Sequence, residues 1–329
     1  MASKNELVKQ VKALLWERGQ KALEIAKHAV LHEKVELKSF GVALNYFVEE
    51  FWTDVFHPAM LALACEAVGG DPDVTTHVGA AVVLLASGAD VHDDIIDQSE
   101  SKDSKPTLFG KYGKDTAIVV GDFLFLKGIH MLCEAAERFP KKQKQSVMEL
   151  TKHAFFRIGN AEIKEACMRG KFDLAPEEYI DVIRIKVSVS EALAKIGAIL
   201  GGATQEEIDA LGHYAKTLGI LLTVRDEFID VFELDELKNR VKNEVLPLPI
   251  IAALQDSKRK DKIITLLKKK EITQTEVDQI LDLVMSSRGA REIKKRMHAL
   301  VKEGSQQVNF VKQNKDEFKL LLHCTLQNL

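Results

Sequence analysis

The chain has 329 residues, of which 46% are hydrophobic and 29% charged, and its formal net charge is −3. This composition supports a large buried core and lacks the basic surplus that nucleic-acid binding requires. No apolar run approaches the roughly 18 residues that a membrane helix needs, and Met1–Gln10 lacks the apolar stretch of a signal peptide, so we expect a cytoplasmic protein without a membrane span.

Widely spaced prolines and capping signals divide the chain into helices. The stretches between the seven prolines have helical rather than strand periodicity, and proline is tolerated only in a helix's first turn. Helix boundaries are indicated, in chain order, by Gly69-Gly70, Asp71-Pro72-Asp73, Ala175-Pro176, Gly201-Gly202 and the capping box from Thr204 to Glu207. We predict one all-α domain over residues 1–329, with ten or more helices joined by short loops.

A first acid cluster closes an apolar helix. In AAVVLLASGADVHDDIID, residues 80–97, Asp93 and Asp97 are four apart and share one helix face, with Asp94 beside them. Leu85 and Ala89 precede them on that face. Carboxylates beside apolar surface require a cation, and Mg²⁺ takes one or two carboxylates together with water and phosphate. A lone DDxxD pattern, however, is more often an exposed acidic helix end.

A second acid cluster repeats this geometry. The segment LGILLTVRDEFIDVF, residues 218–232, places Asp226, Glu227 and Asp230 at the end of another apolar helix. Enough chain separates the clusters for several helices to intervene. Two such clusters facing each other across a cavity would clamp several divalent ions around one diphosphate, which makes a functional site a better interpretation than chance.

The two clusters and the segments around them resemble the trans-isoprenyl diphosphate synthase (polyprenyl synthetase) family. VHDDIIDQSE is similar to that family's first aspartate-rich motif, and RDEFID is similar to its second. Further similar segments, in the family's order, are PAMLALACEAVGGD, KPTLFGKYG, VVGDFLFLKG and EEYIDVIRIKVS. The resemblance covers roughly residues 56–250 and implies an isoprenoid synthase-type helical bundle around a central cavity.

The family's mechanism implies roles for the acids. Metal ions held by both motifs bind the allylic diphosphate and draw off pyrophosphate, after which isopentenyl diphosphate attacks the allylic cation and a proton is lost. By resemblance, the Mg²⁺ ligands are Asp93, Asp97 and Asp226, and the supporting ligands or their hydrogen-bonded neighbours are Asp94, Glu227 and Asp230. Several Mg²⁺ ions are expected.

The resemblance also implies substrate contacts, a product class and an assembly. Lys186 would contact the leaving diphosphate, and Lys102 would serve the allylic diphosphate. The small residue Ala89 and the deeper Leu85 would line the prenyl tail, which favours products of C15–C20 or longer. Family members are commonly homodimers, so residues 114–136 form a candidate interface, and a hetero-oligomer with another synthase subunit stays open.

The chain departs from the family pattern where isopentenyl diphosphate binds. The family's GGKRxRP falls at Trp52–Pro58, which reads WTDVFHP, so the lysine and both arginines are absent and His57 takes the last arginine's place. The family's arginine pair after the first motif aligns with Lys102 and Asp103. Its glycine-lysine loop after the second motif is also changed, and either Lys238 or Lys242 could replace that lysine.

Four functions compete on this evidence. A chain-elongating synthase with a rebuilt isopentenyl site ranks highest, because the similarity extends over many motifs. The second is an enzyme that ionises an allylic diphosphate without using isopentenyl diphosphate, and then cyclises the cation, hydrolyses it or passes it to another acceptor. The third is a non-catalytic partner subunit of a synthase, which the retained acid clusters disfavour. The fourth, a helical scaffold, leaves the ordered motifs unexplained.

Overall fold

The computed structural model describes residues 4–102 and 104–327, without the side chains of Lys4 and Asn5. The expectation for Asp103 lies outside the described residues, as does the start of Met1–Gln10. The described chain is helical apart from a short antiparallel ladder, β1 (Ser101–Lys102) and β2 (Lys105–Pro106), in which Lys102 pairs with Lys105. The prediction of an all-α fold with ten or more helices is confirmed.

The helices range from 6 residues in α11 to 29 in α5. Their bounds are α1 Lys4–Leu31, α2 Lys38–Glu50, α3 Phe56–Ala67, α4 Thr76–Ile96, α5 Leu108–Ala136, α6 Lys141–Ala166, α7 Pro176–Lys186, α8 Ser188–Leu200, α9 Gln205–Ile229, α10 Leu234–Asn243, α11 Leu248–Ala253, α12 Ser257–Leu267, α13 Gln274–Met285, α14 Arg288–Gln307 and α15 Lys315–Cys324. Single 3₁₀ turns cover Pro72–Thr75 and Val308–Phe310.

The described chain divides into two compact units. The first contains the residues up to Lys152 together with Ala192–Leu211 and Phe310–Lys315. The second contains His153–Glu191, Gly212–Asn309 and the residues from Asp316 onward. Helices α6, α8 and α9 each contribute residues to both units. The single domain and the central cavity expected from the sequence stay predictions.

Several helix ends follow from the capping signals. Asp71 accepts a hydrogen bond from the backbone N–H of Asp73 at 3.0 Å, and Pro72 occupies the first turn of the 3₁₀ lead-in to α4. In the capping box, Thr204 Oγ1 accepts from the N–H of Glu207 at 3.3 Å while the Glu207 carboxylate accepts from the N–H of Thr204 at 2.8 Å. These bonds satisfy donors that a helix N-terminus otherwise leaves unpaired.

Helix α4 is the central helix of the first unit. It packs against α1, α3 and α5, and most of its residues from Val78 to Leu85 are fully buried. It approaches α5 closely, because a Cβ atom added at Gly121 would lie 2.5 Å from the His92 ring. His92 therefore faces α5, where its Nε2 lies 3.3 Å from Asp122 Oδ1.

In the second unit, short helices surround the C-terminal part of α9. Helix α11 packs against α7, α13 and α14. The buried Tyr214 stacks edge-to-face on Phe318 at 4.7 Å between ring centroids and donates its hydroxyl proton to the Phe318 carbonyl at 2.7 Å. This packing fixes α15 against α9 and holds the helix that carries the second acid cluster.

Two helices are long and apolar enough to cross a membrane by length and composition alone, Pro72–Ile96 and α5. This corrects the expectation that no stretch of the chain approaches the length and apolar character of a membrane helix. In the first, 67% of the apolar window is buried inside the protein, as is usual for a core helix, whereas in α5 the share is 33%. Such helices by themselves are weak evidence for a membrane protein.

Candidate active site

The first acid cluster lies at the C-terminal end of α4. The backbone N–H of Asp97 donates to the carbonyl of Asp93 at 2.8 Å, so the helical turn that aligns these two residues is intact. Asp94 is turned away from them and is only 8% exposed. Lys102 of β1 lies with its Nζ 2.6 Å from Asp94 Oδ1, so the short ladder brings a cation back to the acid cluster.

In both members of this ion pair, burial and the partner's charge act on the pKa in opposite directions. Desolvation raises the pKa of Asp94, and the charge of Lys102 partly offsets that rise. Desolvation alone would lower the pKa of Lys102, but the carboxylates of Asp94, Asp90 and Asp93 outweigh it and raise that pKa. Lys102 is therefore firmly charged, and ammonium donors beyond the one facing Asp94 are available to a phosphate.

A histidine–aspartate pair occupies the segment where the family has three cations. His57 Nδ1 lies 2.7 Å from Asp54 Oδ2, and the His57 backbone N–H donates to Asp54 Oδ1 at 3.2 Å. Burial opposes both charges, yet the pair is coupled strongly enough that the pKa of His57 is raised and that of Asp54 is lowered. Desolvation also raises the pKa of the neighbouring Asp90 to about 6.

The second acid cluster lies at the C-terminal end of α9, and its three acids differ in how far their side chains are exposed to solvent. Asp226 is exposed, with 56% of its side chain accessible, and its Oδ1 accepts from Arg225 Nη2 at 2.9 Å. Asp230 is 21% accessible, and desolvation raises its pKa to about 8 although Arg240 Nη1 lies 3.8 Å away. Glu227, by contrast, is only 4% exposed.

Lys186 ends α7 and is held by two glutamates of α6. Its Nζ lies 3.1 Å from Glu162 Oε1 and pairs with Glu165 as well. Glu165 in turn lies 3.2 Å from the hydroxyl oxygen of Tyr179, which bonds to Glu227. The predicted diphosphate lysine is thus linked to the second acid cluster through side chains of the same unit.

The remaining predicted contacts are less distinctive. Leu85 is 3% exposed and faces α5 at Gly128, where an added Cβ would meet Leu85 Cγ at 2.8 Å, and Ala89 is partly buried one turn further on. Lys238 is 43% accessible and 3.8 Å from Asp235, and Lys242 is exposed. Whether Leu85 and Ala89 line a prenyl tail, and which lysine binds diphosphate, stay predictions.

The predicted residues fall into two groups, one in each unit. The first unit holds Leu85, Ala89, Asp93, Asp94, Asp97 and Lys102. The second holds Lys186, Asp226, Glu227, Asp230, Lys238 and Lys242. That both groups surround one diphosphate stays a prediction.

The carboxylates of the two acid clusters suit the coordination chemistry of Mg²⁺. Among the described residues, no three or more histidine, cysteine, aspartate or glutamate side chains converge as a ready-made metal cage. Mg²⁺ does not require one, because it binds through one or two carboxylates and keeps water or phosphate in its other positions. The pairs Asp93/Asp97 and Asp226/Asp230, with oxygen donors four residues apart, fit that requirement.

Residues 55–284 match the family model for polyprenyl synthetases. The chain belongs to this family. The matched range contains both acid clusters, Lys102 and Lys186, so the resemblance found in the motifs is confirmed as a family relationship.

Curated relatives of this polyprenyl synthetase are similar over part of their length. A short chain isoprenyl diphosphate synthase of Methanothermobacter thermautotrophicus is 29% identical over 211 residues, which cover 62% of this chain and 64% of that protein. A geranylgeranyl diphosphate synthase of Methanosarcina mazei is 30% identical over 190 residues, covering 57% and 58%. The chain therefore spans less than two-thirds of the length of these relatives.

Solved structures are similar over nearly the whole polyprenyl synthetase chain. A geranylgeranyl pyrophosphate synthetase of Pyrococcus horikoshii superposes with a TM-score of 0.85 at 22% identity, covering 98% of this chain and 99% of that one. A polyprenyl synthase of Caulobacter crescentus, complexed with calcium and isoprenyl diphosphate, gives 0.80 at 17% identity, covering 99% and 98%. At these identities the likeness establishes the fold.

Sequence reasoning missed several residues of these clusters. Arg240, Tyr179 and Glu165 form a buried polar group in the second unit, and Asp54 pairs with His57 in the first. The only local signal for Arg240 was its spacing of four from Glu244, which looks the same in an exposed helix. Nothing in the sequence marked Tyr179 as a partner of Glu227.

Proposed function

We propose that this polyprenyl synthetase is a trans-prenyltransferase that condenses an allylic diphosphate with isopentenyl diphosphate to give a longer polyprenyl diphosphate. The observation that carries the proposal is that each of two acidic motifs presents an outer aspartate pair, Asp93/Asp97 and Asp226/Asp230, and that each unit holds a lysine positioned by carboxylates, Lys102 or Lys186. An enzyme that ionises an allylic diphosphate needs such oxygen donors and cations around the leaving group.

The acids would hold divalent metal ions. Asp93 and Asp97 would bind Mg²⁺ at one cluster, and Asp226 and Asp230 would do so at the other. When bound, Mg²⁺ neutralises the charge that the departing pyrophosphate gains. The calcium and isoprenyl diphosphate bound to the Caulobacter crescentus protein of similar fold support a divalent ion here.

Two lysines would bind the allylic diphosphate. Lys186 is oriented by Glu162 and Glu165, and Lys102 is oriented by Asp94. An ammonium has three donors, and the carboxylate partners fix where the ammonium of each lysine lies. Preorganised donors of this kind stabilise a leaving group without having to rearrange during the reaction.

The isopentenyl diphosphate site would contain fewer lysine and arginine side chains than the family pattern has. His57 stands in the last arginine's place, and the Asp54 carboxylate favours its charged form by raising the pKa of the imidazole. Lys105 and Lys111 are partly committed, since Lys105 Nζ lies 2.9 Å from Glu50 Oε2 and Lys111 Nζ lies 3.4 Å from the Tyr46 ring centre. The exposed Lys114 is the remaining basic candidate nearby in sequence. We therefore expect weak binding of isopentenyl diphosphate.

The product would be of the geranylgeranyl type. No aromatic side chain stands at Leu85 or Ala89 on the approach to Asp93. At about 1.5 Å rise per residue, Leu85 lies about 12 Å along the axis from Asp93, which leaves length for an extended tail. The geranylgeranyl diphosphate synthase of Methanosarcina mazei is 30% identical over the aligned region, which supports C20 over C10.

The reaction is tested with purified protein and Mg²⁺. C5, C10 and C15 allylic diphosphates are each supplied with and without labelled isopentenyl diphosphate, and products and released pyrophosphate are measured. We expect label in a C20 product. Pyrophosphate release without incorporated label would overturn the choice of acceptor, and neither turnover nor binding of an allylic diphosphate would indicate a partner subunit instead.

The protein would act as a cytoplasmic homodimer through α5. Val119, Leu126 and Ile129 lie on one face of α5 and are 54%, 70% and 50% exposed. Such an apolar face is usually covered by another protein surface. Light scattering should give twice the chain mass, and Leu126→Glu should yield a monomer. A wild-type monomer that pairs only with another synthase subunit would contradict this assembly.

A further inference from the structure

The guanidinium of Arg240 is buried beside the second acid cluster and has no role in the proposed mechanism. Arg240 lies on α10 and is 7% exposed. Its Nη2 donates to Glu227 Oε1 at 2.8 Å and to the Tyr179 hydroxyl oxygen at 3.1 Å. Its Nη1 lies 3.3 Å from Glu244 Oε2. Since arginine stays charged in proteins, these buried acceptors must compensate it permanently.

Glu227 is fully engaged by protein donors. Its Oε1 accepts from Arg240 and from the Tyr179 hydroxyl, which lies 2.8 Å away. Its Oε2 accepts from the backbone N–H of Leu248 at 2.7 Å. A metal ion that took over this carboxylate would remove one acceptor from the buried guanidinium and would leave the buried Leu248 amide without its partner, which is costly.

Burial, more than helical spacing, separates Glu227 from the two aspartates. Asp226 and Asp230 are four residues apart and share a helix face, and Glu227 lies at the edge of that face, three residues before Asp230. The exposures agree with this, because the two aspartate side chains are 56% and 21% accessible and Glu227 is buried. Only the aspartates are placed to meet an ion from solvent.

We propose that Arg240 is a positioning residue that holds Glu227 inside the protein, so that the second acid cluster presents only Asp226 and Asp230 to a divalent cation. This inference deepens the proposed function and rests on it for the purpose of the site. Which carboxylates bind the cation can be measured whether or not the protein transfers prenyl groups.

Arg240 has a second, electrostatic consequence. Its Nη1 lies 3.8 Å from Asp230 Oδ2, so a permanent positive charge faces one of the two presented carboxylates. Removing that charge while releasing Glu227 should strengthen the attraction of the cluster for a cation. A residue that merely stabilises the fold would have the opposite effect, because a loosened cluster binds less well.

The test measures Mn²⁺ binding by electron paramagnetic resonance, with the full chain alone and with inorganic pyrophosphate. Glu227→Gln should keep the wild-type affinity within about two-fold, whereas Asp226→Asn should weaken it about ten-fold or more. Arg240→Gln should bind Mn²⁺ at least about three-fold more tightly than wild type in the absence of pyrophosphate. Arg240→Lys, which keeps the charge, should match wild type.

The outcomes separate this inference from the proposed function. Equal weakening by Glu227→Gln and Asp226→Asn would overturn it, as would weaker binding in Arg240→Gln or no Mn²⁺ binding by wild type. If Arg240→Gln does not fold, the double variant E227M/R240M removes both partners together and should bind at least as well as wild type, and a loss there would also overturn it. The expected Mn²⁺ pattern without C20 product would contradict only the proposed function.

Discussion

The two acid clusters have the same arrangement of acids but differ in how deeply the cation that pairs with the middle acid is buried. In each, the middle acid is the buried one and is paired with a cation, Asp94 with Lys102 at 2.6 Å and Glu227 with Arg240 at 2.8 Å. In the first unit that cation is half-exposed, with 45% of the Lys102 side chain accessible. In the second it is buried and shared among several acceptors.

This comparison suggests different roles for the outer and the middle acids of each cluster. The outer residues, four apart, point the same way and stay accessible, while the middle residue turns into the protein and anchors the helix end. The first cluster is anchored by a half-exposed lysine from a short ladder. The second is anchored by an arginine that is committed entirely to the fold.

The largest expected effect is the loss of activity when an outer aspartate of either cluster is replaced. Asp93→Ala and Asp226→Ala should each lower kcat/KM for prenyl transfer by at least about a hundred-fold, because each removes a ligand to the ions that stabilise the leaving group. Asp94→Asn and Glu227→Gln should cost less than about ten-fold. Steady-state kinetics checks this, with the exposed Asp73→Ala as a control that should match wild type. Equal losses at outer and middle positions would refute the division of roles.

Stability should distinguish the two anchoring cations. Arg240→Met should lower the free energy of unfolding by about 3–5 kcal/mol, because it leaves buried carboxylates without a partner. Lys102→Met should lower it by about 1 kcal/mol, since the Lys102 side chain is half-exposed and water replaces much of the interaction. Urea denaturation measures both, with Lys21→Met of the exposed Lys21–Asp73 pair as the control. A larger cost for Lys102→Met would reverse the comparison.

A pH series should sharpen the contrast through Asp230. Burial raises its pKa from 3.8 to about 8, so the unfolded chain releases this proton near pH 4 and the folded chain retains it until near pH 8. Between these pH values the folded state binds more protons than the unfolded state. The free energy of unfolding therefore falls as the pH rises. In chelator-treated protein, Asp230→Asn should remove about 3–4 kcal/mol of the decline in unfolding free energy between pH 5 and pH 8. An unchanged decline would show that Asp230 titrates normally.

The smallest expected effect concerns the histidine–aspartate pair of the first unit. His57→Ala should raise the KM for isopentenyl diphosphate by about three- to ten-fold with little change in kcat, because it removes one charge-assisted contact of about 1 kcal/mol. The KM for the allylic diphosphate should not change, which provides the internal control. An unaltered KM for isopentenyl diphosphate would mean that the acceptor binds elsewhere.

Local sequence patterns were sufficient for the helices and for the acid pairs. The spacing of four between Asp93 and Asp97 places both on one face in any α-helix, and the capping box at Thr204 acts within a single turn. The ordered motifs likewise predicted the polyprenyl synthetase family, which the match over residues 55–284 confirmed. Helical period and capping depend only on neighbouring residues, so they can be read along the chain.

Tertiary packing alone decided which charges meet. Glu227 is bonded to Arg240, 13 residues later, and to Tyr179, 48 residues earlier, through contacts between three helices. Arg240 in sequence resembles the exposed lysines around it, and only the packing of α10 buries it. Because a side chain's partners depend on how separate helices approach, sequence determined where the acids stand and the three-dimensional fold determined which of them remain accessible to a cation.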